Sequence, residues 1–156
     1  MPLQNAPAVT AQMLIRRPVA EVFEAFVEPA ITTKFWFTKS SGRLEQSKTV
    51  RWDWEMYGVG TDVHVKVVEP NQRIVIEWDD PPCPVEWRFT PHGNNHTLVT
   101  ITNSGFHGTA DEIVAQAIDS QGGFTMVLAG LKAWLEHNVI LNLVRDHHPE
   151  AVVPGA

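Results

Sequence analysis

The chain opens with an alternation of apolar and polar residues and then changes to a helical spacing. Every second residue from Val9 to Ile15 is apolar, a period of two that predicts a first β-strand. After Pro18, apolar residues within Val19–Val27 recur at intervals of three and four, which predicts an amphipathic helix. Glu28-Pro29 ends that helix, and Ala30–Trp36 is predicted to form a second short helix.

The middle of the chain, from Gly42 to Phe106, has turn-forming residues about every ten positions, between runs rich in Val, Ile, Thr and Trp. This spacing predicts an antiparallel sheet whose strands are joined by hairpins. Apolar and polar residues alternate in several runs, so one face of the sheet should be buried and the other wet. The predicted strands are Thr49–Met56, Thr61–Glu69, Arg73–Asp79, Val85–Thr90 and Thr97–Asn103, with a weak strand near Gly42–Glu45.

The last part of the chain is predicted to be helical. Thr109 and the glutamate three positions later have the spacing of a capping box, which predicts a short helix through Ile118. A separate terminal helix is expected to be capped by Asp119 or Ser120, to run for about 25 residues and to end before Pro149. It carries an apolar stripe that needs a partner, and the sheet is the obvious cover. The stripe consists of Phe124, Val127, Leu128, Leu131, Trp134 and Leu135.

These elements predict one α+β domain over residues 1–156, in which a curved antiparallel sheet wraps around a long C-terminal helix. Its core should span about residues 9–148, with a loose tail at 149–156. A single helix on a wide sheet leaves space between the two, and such a space is a common ligand site. The candidate ligand-binding residues are Trp36, Trp54, Trp78, Trp87, Phe89, Phe106, Phe124, Val127, Leu128 and Leu131, with Asn103 and His107 as polar groups at the rim.

The register of one strand decides whether the cavity could hold a catalytic acid. If Trp52, Trp54 and Met56 face inward, then Asp53 and Glu55 lie at the surface, and this register is the one we expect. The opposite register would place both carboxylates in the cavity, where burial could raise a pKa and create a general acid or base. No catalytic residue is predicted from the favoured register.

Composition and charge narrow the classes of partner. The formal net charge of -6 argues against nucleic acid and anionic membrane surfaces. Cys83 is the only cysteine, and Met1–Gln12 lacks a secretory pattern, so a cytoplasmic protein is expected. No stretch approaches the roughly 20 apolar residues of a membrane span. The seven histidines have no spacing that converges on one ion, so neither a metal nor another cofactor is expected.

The order of strand, two short helices, six strands and a long terminal helix resembles the helix-grip fold of the birch-pollen-allergen and START-like proteins. The segments Ile15–Phe26, Val65–Ile74 with Trp78, and Gly130–Glu136 look like the SRPBCC proteins related to the activator of heat-shock protein 90 ATPase. Gly123-Phe124 stands where many relatives carry Gly-Trp. This departure keeps an aromatic ring and loses an indole N–H donor.

The resemblance covers about residues 9 to 138 and implies a cavity. The family contains lipid and small-molecule carriers, a co-chaperone module and enzymes, so the fold does not fix how the cavity is used. We expect reversible binding of a small hydrophobic molecule, without chemistry, by a monomer or homodimer. The alternatives are a protein-binding module that acts on a chaperone ATPase, and a cyclase-type or hydrolase-type enzyme with an inward carboxylate or histidine.

Overall fold

Seven strands form one curved antiparallel sheet in the computed structural model, which describes residues 6–155. The order of the strands across the sheet is β1-β7-β6-β5-β4-β3-β2, so strands that follow one another from β2 to β7 are also neighbours. The strands are β1 (Val9–Ile15), β2 (Lys39–Ser40), β3 (Thr49–Trp54), β4 (Val59–Glu69), β5 (Arg73–Trp78), β6 (Cys83–His92) and β7 (His96–Asn103). The predicted α+β helix-grip class is confirmed.

Within residues 6–155, four α-helices accompany the sheet: α1 (Val19–Val27), α2 (Pro29–Thr32), α3 (Ala110–His137) and α4 (Leu143–His147). Two 3-10 turns lie at Glu55–Tyr57 and Pro149–Ala151. The prediction for α1 is confirmed, whereas α2 stops at Thr32 instead of reaching Trp36. Three consecutive aromatic side chains, Phe35 to Phe37, are all buried. Successive side chains on a helix point about 100° apart, so a helix could not bury all three against one surface.

The prediction of two separate C-terminal helices is wrong, because α3 is a single helix of 28 residues. The capping box at its start is present: the Thr109 hydroxyl accepts from the Glu112 amide, and the Glu112 carboxylate accepts from the Thr109 amide. Gly122 and Gly123 lie in the middle of the helix with open space beside them. Two glycines in a helix cost about 2 kcal/mol relative to two alanines. The packing of the apolar face of α3 offsets this cost, so the helix continues through both residues.

The far end of α3 also differs from the prediction, since the helix stops at His137 and not near Pro149. Asn138 adopts a left-handed conformation with φ 55° and ends the helix, as asparagine often does at this position. The chain then turns back through α4. The expected loose tail is attached at one point, because the Val153 amide donates to the Met56 carbonyl at 2.8 Å. Ala156 lies outside the described residues. So do residues 1–5, which belong to the segment inspected for a secretory signal.

The weak strand predicted near Gly42–Glu45 is also misplaced. The observed β2 is Lys39–Ser40, which pairs with Asp53 and Trp52 of β3. Beyond it the chain leaves the sheet, because Leu44 is buried and its amide donates to the Val27 carbonyl at the end of α1. The hydrophobic contact with α1 therefore replaces continued strand pairing.

Helix α3 lies along β1 and is fixed to it by polar contacts near both ends of the strand. The side-chain amide of Gln121 donates to the Thr10 carbonyl at 2.8 Å, and the Lys132 ammonium donates to the Leu14 carbonyl at 2.9 Å. The Glu136 carboxylate accepts from the Arg16 amide at 2.9 Å. The apolar stripe of α3 completes the core with the inner face of the sheet. No helix in residues 6–155 is long and apolar enough to cross a membrane.

Candidate functional site

Three aromatic rings from three separate segments make one continuous wall beneath α3. Trp36 follows α2, Trp78 closes β5, and Phe124 lies in the middle of α3. The Trp36 ring centroid is 6.2 Å from that of Trp78 and 5.8 Å from that of Phe124. Trp78 and Phe124 are stacked, with centroids 5.9 Å apart and ring planes inclined by 22°. We call these three residues the aromatic wall.

A cavity of about 360 Å³ lies beside the aromatic wall, between the ends of β5 and β7 and one face of α3. Gln116, Ser120, Phe124 and Val127 line it from α3. These positions are separated by three or four residues, so they project from the same side of one helix. The cavity is therefore polar toward the start of α3 and apolar toward its middle.

A buried polar pair sits at the polar end of the cavity. Asn103, the last residue of β7, is only 3% exposed, and its amide nitrogen donates to the Pro84 carbonyl at 3.0 Å. Its amide oxygen accepts from the Ser120 hydroxyl at 2.8 Å. The Ser120 oxygen still has lone pairs that can accept a hydrogen bond from a bound molecule. The pair thus ties the sheet to α3 and leaves one polar group usable by a ligand.

Helix α4 covers the mouth of the cavity. Val144, His147 and His148 from this segment line the space, together with Tyr57 from the turn after β3. The Tyr57 hydroxyl donates to the Val144 carbonyl and lies 3.1 Å from the Arg145 carbonyl. None of the α4 side chains is fully buried. The cover is therefore held by hydrogen bonds to its backbone carbonyls and by the partly buried Val144, which packs against the core.

Two carboxylates line the cavity, but they are not the two weighed from the sequence. Asp79 and Asp119 lie at its rim, and both are exposed. Asp79 adopts a left-handed conformation with φ 67°, directly after Trp78. Burial raises the pKa of the nearby Cys83 thiol, and the Asp79 charge adds to this increase. Cys83 is therefore held as a neutral thiol, as expected for an unreactive cysteine.

The favoured register of β3 is confirmed. Trp52 is 1% exposed and Trp54 is partly buried against the core, so both lie on the inner face of β3. Met56 is also buried, but β3 ends at Trp54 and Met56 lies in the 3-10 turn that follows it. Asp53 lies 3.5 Å from the Arg51 guanidinium on the other face. Glu55 is exposed in the 3-10 turn that follows β3. Neither carboxylate lines the cavity beside the aromatic wall, so neither could serve there as a general acid or base.

The structure brings together half of the twelve residues predicted to bind a ligand. Trp54 lines a separate, open space of about 270 Å³ on the other side of Trp78. His107 is exposed, and its carbonyl accepts from Gln116. Trp87, Phe89, Leu128 and Leu131 do not line the cavity; they are packed in the core. The six that do line the cavity are Trp36, Trp78, Asn103, Phe106, Phe124 and Val127.

Several lining residues are missing from the sequence prediction. Gln116 and Ser120 lie eight and four positions before Phe124, so a continuous helical phase would have found them. Because a break was predicted at Gly122, the apolar stripe of the terminal helix was not extended back to Gln116 and Ser120. Tyr57 and the α4 residues had no signal, because nothing in their local pattern indicates that the chain folds back over the cavity. The other residues missed are Asp79, Asp119, Gly123, Met126, Val144, His147 and His148.

A second space of about 370 Å³ lies on the other side of the segment that contains α4. Polar and charged residues supply much of its lining, including Thr33, Lys34 and Glu55. Of the aromatic wall it touches only Trp36. The cavity beside the aromatic wall is therefore the better candidate, because it combines apolar rings with a buried polar pair.

Comparison with known proteins identifies the family. Residues 16–136 match the family described as Activator of Hsp90 ATPase homolog 1-like protein. The chain belongs to this family. No curated protein matches the sequence. The match extends from the end of β1 to the end of α3 and so includes the aromatic wall and the polar pair. The sequence resemblance to the SRPBCC superfamily is confirmed.

Solved structures support the same fold. Protein SSP2350 from Staphylococcus saprophyticus is 32% identical, with a TM-score of 0.77, over 86% of this chain and 96% of that one. The Aha1 dimer from Colwellia psychrerythraea is 19% identical, with a TM-score of 0.70, over 84% of this chain and 97% of that one. CalU16 from Micromonospora echinospora is 18% identical, with a TM-score of 0.68, over 92% of this chain and 83% of that one. The last two establish the fold alone.

Proposed function

We propose that the protein reversibly binds a small, largely apolar molecule with at least one ring in the cavity beside the aromatic wall. The observation that carries this proposal is the cavity itself, about 360 Å³ in volume, next to three contacting rings. Ligand pockets commonly measure about 300–1,000 Å³, so this one fits a compact molecule and not a long lipid chain.

The division of the lining supports a ligand with one polar end. Apolar rings bind by excluding water, whereas the Asn103–Ser120 pair offers a defined hydrogen-bonding group at the opposite end. A flat molecule with a single donor would satisfy both parts. Its entry would require α4 to move. That movement would separate the partly buried Val144 from the core but would expose no fully buried side chain of the helix.

Titration with Nile red, an uncharged fluorescent probe, tests the proposal. We expect saturable binding of one probe per chain, accompanied by quenching of tryptophan emission. Phe124→Ala should weaken binding about tenfold, because it removes one ring of the aromatic wall. Leu98→Ala, a change at a side chain on β7 that lies outside the cavity, is the matched control and should leave binding unchanged. Probe binding without saturation, or unaffected by Phe124→Ala, would contradict the proposal.

A chaperone-binding role is the second candidate, supported by the family match and by one surface feature. Val139, Ile140 and Leu141 follow α3 and are 43%, 46% and 46% exposed. Three consecutive exposed apolar residues are a plausible contact for another protein. Capture of the host's heat-shock protein 90 by the wild-type chain, abolished by Ile140→Asp, would favour this role. Absence of capture at micromolar concentrations would remove it.

A further inference from the structure

The cavity beside the aromatic wall has a one-sided charge. Among residues 6–155, Asp79 and Asp119 line it, and no lysine or arginine does. None of the ion pairs formed between these described residues includes Asp79 or Asp119. Many of the chain's other carboxylates are paired, as Glu24 is with Arg43 and Glu86 with Arg73. The charged side chains that line the described cavity are therefore acidic.

The aromatic wall favours the same sign of charge. The face of an aromatic ring carries partial negative charge, so rings attract cations such as alkylated ammonium groups. Trp36, Trp78 and Phe124 line the same cavity as the two carboxylates. An anionic ligand such as a fatty acid would instead place its carboxylate near like charges, with no lysine or arginine to compensate.

We propose that the ligand is a cation: a compact aromatic or cyclic amine whose rings lie along the aromatic wall and whose ammonium group lies toward Asp79 and Asp119. This inference rests on the proposed function and specifies the chemical class of the ligand. The ring system supplies the apolar contact and the ammonium the charge. The Ser120 hydroxyl is placed to accept a hydrogen bond from an N–H of a protonated amine.

Three small probes of similar size separate charge from shape. Phenyltrimethylammonium is cationic, tert-butylbenzene is its uncharged isostere, and benzenesulfonate is anionic. Binding is followed by tryptophan emission and by NMR at pH 8, above the range in which an ordinary imidazole gains a proton. This choice matters because His147 and His148 lie at the same mouth. We expect the cation to bind about tenfold more tightly than the isostere, and the anion to bind most weakly.

Asparagine substitutions test the carboxylates without changing their shape. Asp79→Asn and Asp119→Asn should each weaken binding of the cation about threefold and leave binding of tert-butylbenzene unchanged. Asparagine tolerates the left-handed conformation of residue 79, so the backbone should be retained. Asp111→Asn is the matched control: Asp111 is exposed on the same helix and does not line the cavity. It should change neither affinity.

The outcomes distinguish the two proposals. Equal affinity for the cation and its isostere would overturn the cationic ligand while leaving the cavity's apolar binding intact. A preference for the cation that survives both asparagine substitutions would overturn the assignment of the ammonium group to Asp79 and Asp119. Failure of all three probes and of Nile red to bind would overturn both proposals. Tightest binding of benzenesulfonate would show that the charge preference has the opposite sign.

Discussion

Comparison of Phe124→Ala with Leu131→Ala tests whether α3 is partly core and partly the wall of a ligand site. Both side chains belong to the apolar stripe of α3, but they face different surroundings. Leu131 is completely buried in the core, whereas Phe124 is 5% exposed and lines the cavity. The two truncations remove apolar groups of similar kind. A difference in their effects on stability or binding should therefore reflect whether each side chain faces packed core or the cavity.

Leu131→Ala should lower the free energy of unfolding by about 4 kcal/mol, in the upper part of the range for buried leucines. The side chain has no exposed area, so its removal leaves a closed void that the surrounding core can fill only in part. Phe124→Ala would ordinarily cost about 3–5 kcal/mol. We expect only about 2 kcal/mol, because the space it vacates joins a pre-existing cavity of about 360 Å³ that admits water.

Urea unfolding of both variants, followed by far-UV circular dichroism, gives the two free energies, and Nile red titration of the same samples gives the affinities. We expect the ranking to invert between the two assays: Leu131→Ala should be the less stable variant, and Phe124→Ala the poorer binder. Phe124→Ala that is as unstable as Leu131→Ala, yet binds the probe normally, would mean that Phe124 is ordinary core. The ligand site would then lie elsewhere.

Three further substitutions test the contacts of α3. Glu136→Gln should destabilise by about 1 kcal/mol at pH 7. Burial raises the pKa of Glu136, but the Arg16 amide and Lys132 outweigh it, so the net pKa is lowered. The advantage of the wild-type protein in urea unfolding should therefore decrease as the pH falls below 4.5, the ordinary glutamate pKa, and vanish below the lowered pKa of Glu136. Gly130→Ala should cost about 1 kcal/mol, because its methyl group would lie 3.1 Å from Phe35 Cβ. Gly123→Ala should stabilise by up to about 1 kcal/mol and weaken probe binding.

Most of the sheet was predictable because alternation along a strand depends on only a few neighbours. The alternation within β5, β6 and β7 placed every second residue on the buried face, and the hairpin turns fixed which strands are adjacent. In β4 a bulge between Val65 and Val67 shifts the alternation, so that Val68 and not Val67 packs against the core. The ends of the elements were less predictable. Leu44 leaves the sheet for a contact with the end of α1, and that contact joins residues 17 positions apart with no local signature.

The candidate site was only half predictable for a related reason. The apolar stripe showed which residues of α3 face the sheet, but not how closely the sheet approaches each of them. Leu128 and Leu131 are completely buried in the core, whereas Phe124 and Val127 border a gap. The distance depends on the curvature of the whole sheet and on where α4 returns. Neither is encoded in the spacing of apolar residues along one helix.

The continuity of α3 accounts for the character of the cavity. A helix that broke at Gly122 would have sent Gln116 and Ser120 in another direction and removed these two polar side chains from the cavity. Because the helix runs straight through, its polar first half and its apolar second half face the same cavity. Asp119 and Ser120 thus lie within two helical turns of Phe124, and Asn103 is hydrogen-bonded to Ser120. The mixture of polar and apolar side chains in the cavity therefore depends on α3 continuing through Gly122 and Gly123.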